Sequence, residues 1–117
     1  MQFLPRLKHV GLLAHFFMKF NSQDRLTVEN KILDGLCEGA INSSEFLFMQ
    51  FIARECYTKK SDSVEMSCDF LAEQLGFSRR NVMRCKNSLE EKGYITVKRW
   101  SMSTNTIKID ASLWLFG

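Results

Sequence analysis

A chain of 117 residues with 45% hydrophobic and 25% charged content has the length and balance of one soluble domain with a buried core. One proline and six glycines are too few for long disorder, and no apolar run approaches the ~18 residues needed to cross a bilayer. The formal charge of +3 is modest but uneven: residues 79–108 hold eight basic residues against Glu90 and Glu91, a net of +6, and the rest carries −3. A basic segment in a nearly neutral chain is the footprint of a surface that meets a polyanion.

The opening MQFLPRLKHVGLLAHFFMKF places basic residues before an apolar stretch. It has no small-residue cleavage site, and His15 and Lys19 break and close the apolar part, so neither a secretory leader nor a membrane span is expected. Pro5 suits a first helical turn, and Leu7, Val10, Leu13 or Ala14, Phe17 and Phe20 recur at three- and four-residue steps, an amphipathic helix ending near Asn21. That segment suits a homodimer interface and, equally, a cover for the central helix of the core.

Thr27 is the expected cap of a second helix that carries Val28, Ile32, Leu33, Leu36 and Cys37 on one side and ends at Gly39. Asn42 and Glu45 have capping-box spacing ahead of SSEFLFMQFIAREC, which is apolar on nearly every side and belongs in the middle of the core. TKKSDS reads as a loop, VEM as a short strand, and Ser67 as the cap of a helix over residues 68–75. Gly76 and Phe77 break the pattern; Ser78 caps a helix that runs to Lys92 and stops at Gly93. The period then changes to two in YITVKRW and TIKID, separated by the polar SMSTN, a β-hairpin pattern. The apolar tail SLWLFG is expected to pack on the body.

This order predicts a mainly α fold with a small β-hairpin: a winged helix-turn-helix over residues 43–117, preceded by an N-terminal helical extension over 1–42. Ala72 is small where two helices cross, and Gly76, four positions on, supplies the positive φ of the turn. Leu71, Leu75, Phe77, Val82 and Cys85 fill the positions where the two helices face each other and the core.

On a helical wheel Val82, Cys85 and Leu89 fall on one side, while Arg80, Arg84 and Asn87 fall opposite, with Met83 at the margin. Arg79 and Asn81 flank that face in the first turn. Arginines at a helix N-terminus oppose the macrodipole, and no acidic residue stands four positions on to relieve them. They are favourable where they meet a phosphate backbone or a guanine edge. Lys98 and Arg99 lie on the wing, near a tip between Trp100 and Thr106, and a wing of this kind lies along a phosphate backbone or in a minor groove. Trp100 suits either a sugar edge or packing against the tail or a second subunit.

Cys37, Cys56, Cys68 and Cys85 form no C-x-x-C pair, and His9 and His15 are remote from them. They read as small hydrophobes of a reduced, cytoplasmic protein without a metal or other cofactor. The chain has no phosphate loop, H-E-x-x-H or G-x-S-x-G, so no enzyme is expected.

The stretch from LTVENKILDGL through SSEFLFMQFIAREC, YTKKSD, SRRNV and EEKGYI resembles the N-terminal, origin-binding domain of phage O-type replication proteins. The end, TNTIKIDASLWLFG, is similar to winged-helix replication proteins of plasmids, with Asp110 and Ala111 where those have Asn-Pro. Both resemblances imply origin recognition by the helix from Ser78 to Lys92, with contacts from Arg79, Arg80, Asn81, Arg84 and Asn87. O-type proteins continue into a helicase-recruiting segment, whereas this sequence stops at Gly117. The expected function is sequence-specific double-stranded DNA binding in replication initiation or its control, with a replication or transcription protein as partner. The alternatives are a transcriptional regulator using the same surface and a winged helix that binds protein.

Overall fold

The computed structural model describes residues 20–99 and 104–114. Its elements are α1 (Ser22–Cys37), α2 (Ser43–Lys59), β1 (Ser63–Met66), α3 (Cys68–Leu75), α4 (Arg79–Glu91), β2 (Ile95–Arg99), β3 (Asn105–Ile109) and a 3-10 turn at Ala111–Leu113. The fold is mainly helical with a small antiparallel sheet of order β1-β3-β2, the helix, strand, helix-turn-helix and hairpin succession of a winged helix. The expected helix over residues 7–20 lies outside the described residues except for Phe20, which is fully buried and meets Trp114 edge to face at 5.3 Å.

α1 departs from the expectation at both its start and its inward face. It begins at Asn21, not Thr27, because Asn21 and Asp24 form a capping box: Asn21 Oδ1 accepts the Asp24 N–H at 2.9 Å and Asp24 Oδ2 accepts the Asn21 N–H at 3.0 Å. This first turn is polar and lacks the apolar period that a start at Thr27 follows. Val28, Ile32 and Gly35 face inward; Leu33 is 47% exposed and Cys37 is exposed, so neither lies on the buried stripe.

α2 is the centre of the molecule. The expected capping box opens it, with Asn42 Oδ1 accepting the Glu45 N–H at 2.9 Å and Glu45 Oε1 accepting the Asn42 N–H at 2.8 Å. Phe48, Met49, Ile52, Ala53 and Cys56 have no exposed surface. The helix runs two residues into the expected loop, through Thr58 and Lys59, and ends where Lys60 takes the left-handed conformation at φ 54°. Val64 and Met66 of β1, Ile107 and Ile109 of β3 and Ile95 of β2 close the core from the sheet side, with Val97 partly buried beside them. β1 joins the two expected hairpin strands by pairing with β3, Val64 opposite Ile107. Leu113 and Trp114 of the tail are buried, and Asp110 holds their turn by accepting the Ser112 N–H at 3.0 Å.

The helix-turn-helix forms for local reasons. Ser67 Oγ accepts the Phe70 N–H at 3.0 Å and Ser78 Oγ the Asn81 N–H at 3.1 Å, so each helix has its own cap. Between them Gly76 sits at φ 69°, and its N–H and that of Phe77 both return to the Ala72 carbonyl. Val82, Cys85 and Leu89 bury one side of α4.

One half-buried ion pair joins the start of α2 to the end of α4. The Glu45 side chain is 3% exposed, and both its oxygens accept from the Lys92 ammonium, at 3.0 and 3.2 Å. Burial pushes the Glu45 carboxyl up, but bonds from the Ser88 hydroxyl, the Asn42 N–H and Lys92 outweigh it and hold it below its ordinary value. A lowered folded pKa means a contribution present above the unfolded value of about 4.5 and lost as pH falls through the folded one. Asp24 and Asp62 have the opposite sign: burial raises both, so each opposes the folded state at neutral pH and ceases to do so as it protonates. Comparing Glu45→Gln with the natural chain cancels those two. Urea denaturation should find the variant less stable by about 1–2 kcal/mol at neutral pH. The gap should close in acid; a gap unchanged down to about pH 3 would contradict the assignment.

Candidate nucleic-acid interface

α4 carries two opposed faces. Arg79, Arg80, Arg84 and Asn87 are exposed, Asn81 is half-buried, and Met83 at the margin is half-buried as the wheel implies. The buried side, anchored on α2 and the sheet, leaves the basic side only one direction to face. Ser78, Arg80, Asn81 and Arg84 line a shallow concavity of about 350 Å³ at the start of the helix.

The three arginines are held differently. Arg79 Nε lies 3.7 Å from Asp69 Oδ1 of α3, both strongly exposed, so an acidic partner that helix spacing alone does not reveal comes from across the turn. A pair in open water contributes little and is readily exchanged for a phosphate. Arg84 donates from Nη2 to Asn81 Oδ1, one turn back on the same helix, so Asn81 orients that guanidinium. Arg80 makes no side-chain hydrogen bond or ion pair among the described residues. Its five donors are open to a ligand with a planar pair of acceptors.

The basic tally of the sequence needs correction at two positions. Lys86 is 1% exposed and interacts within the protein, and Lys92 is committed to Glu45. Neither belongs to an open cationic surface. Lys92, at the end of α4, reaches Glu45 at the start of α2.

On the wing, Lys98 is exposed beside Thr96 on the outer face of β2, and the paired Thr106 and Lys108 of β3 share that face. Lys98 is not among the residues lining the concavity of α4. Lys108 turns to Asp62, Nζ to Oδ2 at 3.9 Å. The Arg99 side chain and Trp100 lie outside the described residues. Asn105 anchors the returning strand: it is 4% exposed and its Nδ2 donates to Cys68 Sγ at 3.7 Å, tying β3 to the start of α3. Sequence reasoning missed this link and the Glu45 clasp, because each joins residues far apart in the chain, 37 and 47 positions respectively. Capping-box spacing pointed at Glu45 but gave no sign of its second partner.

No group of three or more His, Cys, Asp or Glu among the described residues is arranged to hold a metal, and no described helix is long and apolar enough to cross a membrane. All four thiols are free. Burial, reinforced by Asp62 and Glu55, pushes the Cys56 thiol up to about 12; burial and Glu45 raise that of Cys85. Cys68 is also buried, its Sγ on Met83 Sδ at 3.1 Å. A disulfide-exchange reagent at mildly alkaline pH should therefore label Cys37 alone in the folded protein and all four cysteines after denaturation; rapid labelling of Cys56 or Cys85 in the native state would contradict this packing. Neither the protein-family models nor the curated proteins contain a match to the chain, so its function is argued from its own residues.

Proposed function

We propose that this chain binds double-stranded DNA sequence-specifically, reading the major groove with α4, in replication initiation or its control in a phage or plasmid setting. The observation that carries the reading is the division of α4: an apolar side committed to the core, and a side of three exposed arginines with Asn87, of which only Arg79 has an anionic partner among the described residues. Such a face costs the isolated helix stability at its N-terminus and repays it only against an anionic ligand. Arginine forks match guanine O6 and N7, and Asn matches adenine N6 and N7, so the face has side chains for both purines.

Arg79 and Lys98 fit phosphate contacts that set register, and Arg80, Arg84 and Asn87 fit base edges. Arg99 would add to the wing contact. A replication-associated protein of this kind works in the cytoplasm as a DNA-binding module without catalytic chemistry. A transcriptional regulator would use the same surface and differ only in where its site lies. A homodimer would read paired half-sites about one helical turn apart.

Selection of bound duplexes from a random library near physiological salt, with the mass of the complexes, tests the reading. A single enriched palindrome or repeat favoured by ~10³-fold or more over random DNA is expected. Arg80→Ala combined with Arg84→Ala should abolish the preference while changing folding stability by under about 0.5 kcal/mol per site, since both side chains are exposed. Absence of enrichment, with binding that vanishes as salt rises, would leave a nonspecific basic surface and favour a protein partner.

A further inference from the structure

Apolar contact by Val82, Cys85 and Leu89 decides which side of α4 turns inward, but being non-directional it sets rotation and axial position only loosely. Directed bonds set those. The cap at Ser78 is internal to the helix-turn, and the Arg79–Asp69 pair is exposed and weak, so neither grips α4 against the body. At the other end Lys92 bonds both oxygens of the Glu45 carboxylate, which is itself fixed by the capping box of α2. Through this bond the central helix holds the end of α4; Cys68 Sγ on Met83 Sδ ties its middle to α3, and the buried Lys86 also interacts within the protein.

We infer that Glu45 is a positioning residue for DNA recognition: through Lys92 it sets how α4 is turned and how far it projects, and thus where Arg80, Arg84 and Asn87 meet the groove. The inference rests on the DNA-reading assignment of α4. A slip of one residue turns a helix by about 100° and shifts it by about 1.5 Å, enough to take a bidentate arginine off its base. Glu45 is the buried partner of a pair whose lysine is 37% exposed, and fixing one arrangement among several is the best-attested use of a charge buried in this way. Lys92, for all its charge, then acts as a strut within the protein and contributes no phosphate contact.

The test compares the natural chain, Glu45→Gln, Lys92→Met, the double variant and Lys92→Arg on the selected duplex and on a scrambled duplex of equal length. All are assayed at one salt concentration and well below their melting temperatures. Each of the first two changes should lower the ratio of selected to scrambled affinity by about tenfold, the double variant should do no worse than the poorer single one, and Lys92→Arg should restore most of the ratio. Affinity for the scrambled duplex, which depends on charge rather than alignment, should stay within about twofold in Glu45→Gln. A ratio that is unchanged in folded variants overturns the inference and leaves the DNA reading intact. If the natural chain itself prefers no duplex, the DNA reading fails and the inference falls with it. Lys92 is 37% exposed at its side chain and its removal leaves less behind, so that variant decides the matter should Glu45→Gln not fold.

Discussion

The constraint on which the rest of the structure depends is the burial of α2. A helix that is apolar on most of its sides is not stable until those sides are covered; a strip through Leu47, Arg54 and Tyr57 stays exposed, and the covering of the rest is what arranges everything else. α1 takes one flank through Val28 and Ile32, α3 and α4 take another through Leu71, Val82 and Leu89, and the sheet closes the remainder through Val64, Ile107 and Ile109. Each of these elements has one apolar face and so one way to dock. The outward side of α4 is therefore a consequence of how α2 is dressed.

Glu45 extends that logic from surface to direction. It is the buried acidic residue in the first turn of α2, and it does two things at once: it completes the cap that starts α2 and it receives Lys92 from the end of α4. The same accounting removes Lys86 and Lys92 from the exposed charge, which concentrates the open positive charge of this region on Arg79, Arg80 and Arg84 and on the wing lysines. A smaller set of cations on one helix face is a sharper instrument than a diffuse basic segment, because base reading needs placed donors and a general attraction to phosphate does not.

Most of the fold is legible in local signals. Ser67 and Ser78 cap the helices they precede, Gly76 takes the positive φ of the turn, and the change of period at Tyr94 marks the hairpin. Apolar period misleads where polar chemistry sets the boundary: Asn21 and Asp24 start α1 six residues before the first buried side chain, and Leu33, apolar and well spaced, faces out because Val28, Ile32 and Gly35 already supply the inward stripe. The helix wheel placed the α4 side chains correctly because a helix face follows from 3.6-residue geometry alone. The partners of those side chains were not legible. Asp69 beside Arg79, Glu45 beneath Lys92 and Cys68 against Asn105 are meetings made by tertiary packing, and no spacing rule anticipates them.

The molecule is thus a holder for one helix face, with the wing beside it and the half-buried Glu45–Lys92 clasp beneath it. The most direct measurement is a residue-by-residue map of the protein by NMR chemical shifts as a short duplex is titrated in at low salt. The account predicts that the largest changes fall on Ser78 to Asn87 and on β2 around Lys98, while the exposed Leu26 and Leu33 of α1 stay still. Changes centred on α1, or on the exposed Leu47 and Phe70 instead of α4, would place the binding surface elsewhere and contradict it.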